Sequence, residues 1–227
     1  MYACRVKGRD LTFGVSGKLL DRVLIMYDRQ TGSEWSHLTG LCLAGKLKGT
    51  QLEASARYEM TSLGQWVMRH PATRVLKPVH PMAVYQKQKQ KWAGYFSGQR
   101  EGKVLGLFVE KQARHYAFSD LEGHTIVNDT FADKALLVVF EKASDTAEVF
   151  LRTAKGKTLT FTAAGTGEDG RMGMKDEETG SLWDAFSGQA LSGSLKGTRL
   201  DRLPSTHSFA YGWDAYFPES EKWKPGE

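Results

Sequence analysis

Two cysteines and six prolines in 227 residues leave this chain without several common devices. Cys4 and Cys42 are too few for a disulfide framework, and their spacing matches no zinc pattern, so both read as free or buried thiols. No run of 18 apolar residues occurs, which excludes a membrane-spanning helix. The stretch after Met1, "YACRVKGRDLTFGVSG", has neither an apolar h-region nor a small-residue cleavage site, so no secretory signal is expected in the chain as it stands. A strong excess of one charge is absent too. A net +5 and a pI near 9.1 permit weak attraction to anionic surfaces without demanding it. The composition, 41% hydrophobic and 25% charged, is that of a folded domain large enough to bury a core unaided.

What the chain does have is a long internal duplication. "TGSEWSHLTGLCLAGKLKGTQL" at 31–52 returns as "TGSLWDAFSGQALSGSLKGTRL" at 179–200, with 12 identities in 22 ungapped positions. Leu11, Thr12, Phe13, Gly17 and Asp28 fall on Leu159, Thr160, Phe161, Gly165 and Asp176 at the same offset of 148. Trp66 and Pro71 fall on Trp213 and Pro218 at 147, so one single-residue gap follows Leu52. The shared region covers 7–77 and 155–224. So long a period means a duplicated domain and not a repeat array. The expected organisation is a first repeat at 1–77, a connector at 78–102 and a second repeat at 103–227.

Each copy reads as mainly β, giving an α+β chain of two homologous β-rich halves. "DLTFGVSG" and "TLTFTAAG" alternate apolar residues ahead of a glycine, and "VLIMYD" is a short apolar run closed by a turn. Gly32, Gly180, Gly49 and Gly197 sit in turn chemistry that calls for positive φ. Each copy then ends in a short helix, "TSLGQWVMRH" and "HSFAYGWDAYF". Thr61 or Ser62 and Ser208 are the candidate N-caps, Pro71 and Pro218 the stops, and Trp66 and Trp213 the anchors onto the sheets. Between the copies, "KVLGLFVE", "ARHYAFSD", "ALLVVFEK" and "AEVFLRTA" read as a meander of strands separated by "GHTIVNDTFADK" and "KASDT". Only the second copy has such a block ahead of it. The first is therefore expected to be N-terminally incomplete, with an unpaired and aggregation-prone edge.

The motifs "LTFGVSGKLLDRVLIMYDRQTGSEWSHLTG", "HPATRVL", "VLGLFVEKQARHYAFSDLEGHTIVNDT" and "DEETGSLWDAFSGQALSGSLKGTRLDRLP", in this order, resemble the bacterial and archaeal family known as domain of unknown function 3179. The resemblance runs over nearly the whole chain. It implies that a fuller member opens with its own "AxAYP…VND" strand block. It also implies a Tyr-Cys-Pro-x-Cys-like element ahead of the "LTFGVSG" strand in many members. Here only Tyr2 and Cys4 stand in that region, and Cys4 is not equated with either family cysteine. Export signals or lipoprotein anchors in the family imply a cell-envelope location for the parent protein.

The candidate ligand-binding residues are Asp28, Arg29, Thr31, Ser33, Trp35 and His37, mirrored by Asp176, Glu177, Thr179, Ser181, Trp183 and Asp184. An aromatic beside hydroxyls and a carboxylate can form a small polar pocket with an apolar wall. The same residues can instead hold a turn while the tryptophans fill the core. His37 and Cys42 are two ligands of a soft metal site and too few to make one. "GVSG" at 14–17 resembles a nucleophile elbow but has Lys18 where glycine is required, and Ala164 stands opposite Ser16 in the second copy. The six histidines show no HExxH spacing. "QKQKQKWAGYF" places Lys87, Lys89 and Lys91 before Trp92, Tyr95 and Phe96, a pattern for single-stranded nucleic acid that a charged strand edge explains equally. The reading is a non-catalytic cell-envelope binding or interaction module taking a small molecule or protein, with no cofactor assigned. A thiol- or metal-dependent redox protein is the alternative, and weak nucleic-acid binding is a disfavoured third.

Overall fold

A computed structural model describes residues 2–21, 23–54, 58–76 and 102–226, and it is β-rich. The first copy opens with a hairpin, β1 (Arg5–Val6) and β2 (Arg9–Asp10), followed by β3 (Phe13–Leu20), β4 (Val23–Asp28), β5 (Glu34–Ser36) and β6 (Cys42–Ala44), then helix α1 (Leu63–Arg69). The intervening block contributes β7 (Lys103–Val109), β8 (Gln112–Ala117), helix α2 (Phe118–Leu121), β9 (Ile126–Phe131), β10 (Lys134–Glu141) and β11 (Thr146–Leu151). The second copy repeats the first as β12 (Thr153–Ala154), β13 (Lys157–Thr158), β14 (Phe161–Thr166), β15 (Met172–Asp176), β16 (Leu182–Asp184) and β17 (Gln189–Ala190). Strand β18 (Ser205–Phe209), helix α3 (Ala210–Tyr216) and strand β19 (Glu221–Lys222) complete it.

The two antiparallel sheets, β3-β4-β5-β6 and β14-β15-β16-β17, share one register. Phe13 faces Asp28 as Phe161 faces Asp176, and Met26 faces Trp35 as Met174 faces Trp183. The equivalence reaches further back than residue identity does. Lys7-Gly8 and Lys155-Gly156 turn the two small hairpins with both residues at positive φ, the geometry a two-residue hairpin loop requires. Tyr2 bridges Ala54 just as Phe150 bridges Arg202. Gly45 and Gly193 meet a stricter demand. At either one a Cβ would lie 2.7 Å from the Cα of Ser33 or Ser181, so the backbones approach too closely for any side chain.

The block between the copies is not one meander. β7 and β8 form a mixed sheet with β18 and β19, and β9, β10 and β11 form a separate antiparallel one. Strand β9 lies inside "GHTIVNDTFADK", where turn-like polar residues hide it. Asn128 brackets the Phe161 backbone with two 2.8 Å bonds, and Asp129 accepts from Tyr116 at 2.7 Å. β10 is buried on both faces, as its nearly unbroken apolar sequence requires. Leu137 and Val139 join Phe161, Met174 and Trp183 in the second copy's core, and Leu136, Val138 and Phe140 join Leu105, Tyr116 and Trp223 on the other side. The first copy builds the matching core from Val6, Leu11, Trp35, Cys42 and Leu52. Phe13 there is half-buried where Phe161 is fully buried, because among the described residues nothing takes the place of Leu137 and Val139.

The helices correct two expectations. Ser62 caps α1, accepting from the Gln65 N–H at 3.2 Å, but Ser208 does not cap α3. Strand β18 runs straight into that helix, and Gly102 O accepts the Ala210 N–H at 2.6 Å instead. Trp213 is 2% exposed and lies against Gly106 of β7, where a methyl group would overlap its indole. Trp66 is 36% exposed, and α1 has no buried residue. It therefore does not anchor its helix as Trp213 does, although both indoles bond to a hydroxyl seven residues on, Thr73 or Ser220, at 2.8 and 2.7 Å. The lysine-rich segment at 87–100 and all of the expected connector except Gly102 lie outside the described residues.

Candidate binding site

Asp28 closes β4 and Asp176 closes β15, each at the start of a Thr-Gly-Ser turn that leads into a strand carrying a tryptophan. In the first copy, Asp28 accepts the Thr31 N–H at 2.6 Å, the Thr31 hydroxyl at 2.8 Å and the Trp35 indole N–H at 2.9 Å. In the second, Asp176 accepts the equivalent bonds from Thr179 and Trp183 at 2.6, 3.0 and 2.8 Å. Ser33 and Ser181 bond to the threonine hydroxyls at 2.6 and 2.7 Å. Both also accept a loop N–H, from Leu47 at 3.1 Å and Leu195 at 3.2 Å. The aspartates, serines and tryptophans are buried. Burial alone would raise the aspartate pKa values, but the bonds from tryptophan and threonine outweigh it and hold both below the ordinary carboxylate value.

The other candidates fall in different surroundings. Arg29 is exposed, its guanidinium 5.7 Å from the Tyr27 ring centre. Asp184 matches Ser36 in register. Each accepts the N–H three residues on, Ser187 at 2.7 Å and Thr39 at 3.2 Å, so both support the next turn. His37 is exposed, and it lines a cleft of about 570 Å³ together with His207, Phe118 and Tyr211. Cys42 is buried in the first copy's core, and burial pushes its thiol up, away from the thiolate that metal binding or redox attack needs. Cys4 is exposed. Among the described residues no three His, Cys, Asp or Glu side chains gather as a metal site. Ser16 donates its hydroxyl to Ile25 O within the sheet.

The spacing of residues gave no sign of how the two copies hold each other. The Arg69 guanidinium of α1 lies 5.4 Å from the ring centre of Phe186, in the second copy. Trp213 of α3 packs with Leu38 of the first copy, the residue equivalent to Phe186. Each terminal helix thus touches a turn of the other copy, and a cleft lies beside each contact. One, of about 700 Å³, joins Tyr2, Leu41 and Leu43 to Phe108, Trp213 and Phe217. The other, of about 710 Å³, joins Phe150, Arg199 and Arg202 to Trp66, Arg69 and His70. Many equivalent positions line both, yet the first is mostly apolar while half of the second's lining residues are charged. Helical and strand periods do not reveal this, because both clefts combine residues far apart in the chain.

Fold and clefts together define a duplicated β-rich protein whose terminal helices each touch a turn of the other copy. The chain belongs to the family described as protein of unknown function (DUF3179), whose model matches residues 1–96 and again residues 80–222. Two successive matches to one model agree with the duplication. Neither the curated proteins nor the solved structures provide a match. No helix among the described residues is long and apolar enough to cross a membrane.

Proposed function

We propose that this chain is a non-catalytic binding module whose ligands enter the clefts between its copies. The observation that supports it most is the reciprocal contact of each helix with the other copy, beside which lie two equivalent concave sites of ligand size. In this reading Asp28, Thr31, Ser33 and Trp35, with Asp176, Thr179, Ser181 and Trp183, hold the turns that carry Leu38, Thr39, Phe186 and Ser187 to the clefts. They serve binding from behind the lining, while His37 and Arg29 stand at the surface. The cell-envelope location implied by the family resemblance is carried as part of the proposal, and fractionation of cells expressing the full gene tests it.

Fluorine NMR of the 5-fluorotryptophan-labelled chain tests the binding itself, because Trp66 and Trp213 each line one cleft. A screen of small acids, sugars and short peptides should yield ligands that shift Trp66 or Trp213 and leave Trp35 and Trp183 in place. Ligands that bind without moving either cleft tryptophan, or that are chemically turned over, would contradict the proposal.

A further inference from the structure

The duplication supplies an internal control for the polar cleft. Arg69, Arg171, Arg199 and Arg202 line it, and the equivalent positions in the other copy hold Tyr216, Val23, Gln51 and Ala54. The first copy makes the same turns and strands without counterparts of Arg171, Arg199 and Arg202, and the second copy makes the same helix with Tyr216 in place of Arg69, so the duplicated fold does not require the four arginines.

Their guanidinium groups are held in place from behind. Arg69 has a side chain only 7% exposed; it pairs with Glu59, donates from Nε to Gln65 O at 3.3 Å and lies over Phe186. Arg202 lies 5.4 Å from the Phe150 ring centre and donates to Phe186 O at 2.6 Å, with Glu148 and Glu59 at 3.5 and 3.7 Å. Arg171 donates from Nη2 to Met68 O at 3.4 Å and approaches Asp169 and Asp184 at 3.4 and 3.9 Å. Arg199 donates to Gln189 at 2.9 Å. Glu59, Asp184 and Asp201 also line the cleft. Asp184 already accepts the N–H groups of Phe186 and Ser187, and Glu59 is shared between Arg69 and Arg202.

One donor is left over, and a second is poorly matched. Arg69 Nη1 is buried with no hydrogen-bond acceptor among the described residues, and the buried Arg171 Nε faces Asp169 at 3.4 Å without forming a hydrogen bond to it. Buried charged donors without acceptors are rare because leaving them so is costly. A rigid guanidinium fork is completed best by a planar or tetrahedral oxyanion. We infer that the polar cleft binds a small oxyanion, a carboxylate or a phosphate, through Arg69 and Arg171, with Arg199 and Arg202 flanking it. Trp66 and Phe150 provide an apolar wall for the body that carries the anion. This rests on the clefts being binding sites, and it names the ligand class of one of them.

The test is a titration of the full chain with inorganic phosphate and, separately, with succinate, followed on the arginine Nε–H and Trp66 indole resonances. At least one anion should give saturable shifts of Arg69 and Arg171 by about 10 mM. R171Q and the surface variant R199Q should each weaken that binding about tenfold while keeping the parent's melting temperature within a few degrees. Saturation by phosphate alone or by succinate alone decides the source of the oxyanion. The inference is overturned if neither anion saturates, or if R171Q and R199Q bind as the parent does. Should uncharged ligands meanwhile move Trp213, the binding-module reading survives and only the anion site falls.

Discussion

Trp213 lies against Gly106 and is 2% exposed, whereas its counterpart Trp66 is 36% exposed. Both indoles sit at the fourth position of a seven-residue helix and make the same hydroxyl bond. Their energetic weight should nonetheless differ. Trp213→Ala empties a buried site and should cost about 3–5 kcal/mol, whereas Trp66→Ala should cost about 1 kcal/mol. Gly106→Ala should destabilise as well, since the indole has nowhere to retreat. Urea unfolding of the three variants checks the order.

The buried Asp–Trp pairs should set much of the acid stability. Because both aspartates are held below their ordinary pKa, their contribution is present above about pH 4 and is lost as pH falls through the lowered folded values. Trp183→Phe removes one donor from Asp176 and should cost about 1–3 kcal/mol at neutral pH. It should also move the acid unfolding midpoint upward. Circular dichroism during acid titration reads both effects, and an unchanged midpoint would mean that the indole does not hold the carboxylate.

Glu148 should act in the opposite sense. Burial pushes it up to about 8 against the pull of Arg202, with Glu59 adding to the rise. The folded state then keeps a proton that the unfolded chain releases near pH 4.5, so this residue lowers stability progressively from there to about pH 8. Glu148→Gln should gain on the parent across that range, by a few kcal/mol at its upper end on the order of 1.4 kcal/mol for each pKa unit. Parallel stability curves for parent and variant would rule out the shift.

Thiol labelling separates the two cysteines. In the native chain Cys4 should react quickly and Cys42 slowly, because Cys42 is buried and its thiol is pushed up. Under denaturing conditions both should react. Two fast thiols in the folded chain would revive a cysteine-based chemistry for the first copy.

Sequence alone determined the duplication, the β character of each copy, the turn glycines and the proline stops, because all of these are local or repeat at a fixed offset. Gly32, Gly180, Gly49 and Gly197 do take positive φ. Pro71 and Pro218 do follow the helix ends at His70 and Phe217. The Asp–Thr–Ser–Trp units were legible as a recurring set, and their hydrogen bonds span only two to seven residues.

Strand β9 escaped notice because Asn128 and Asp129 look like turn residues until Phe161 and Tyr116 are placed beside them. The equivalence of Tyr2 and Phe150 was equally hidden, since only an aromatic against a glycine is kept there and the residues around it have diverged. The unequal burial of Trp66 and Trp213, and the contact of each helix with a turn of the other copy, were decided by tertiary structure alone. Burial is a property of what arrives from elsewhere in the chain, and two nearly identical segments meet different neighbours. For the same reason four scattered arginines became a single cleft only when α1 crossed to the second copy and brought Arg69 to Phe186, beside Arg171 and Arg202.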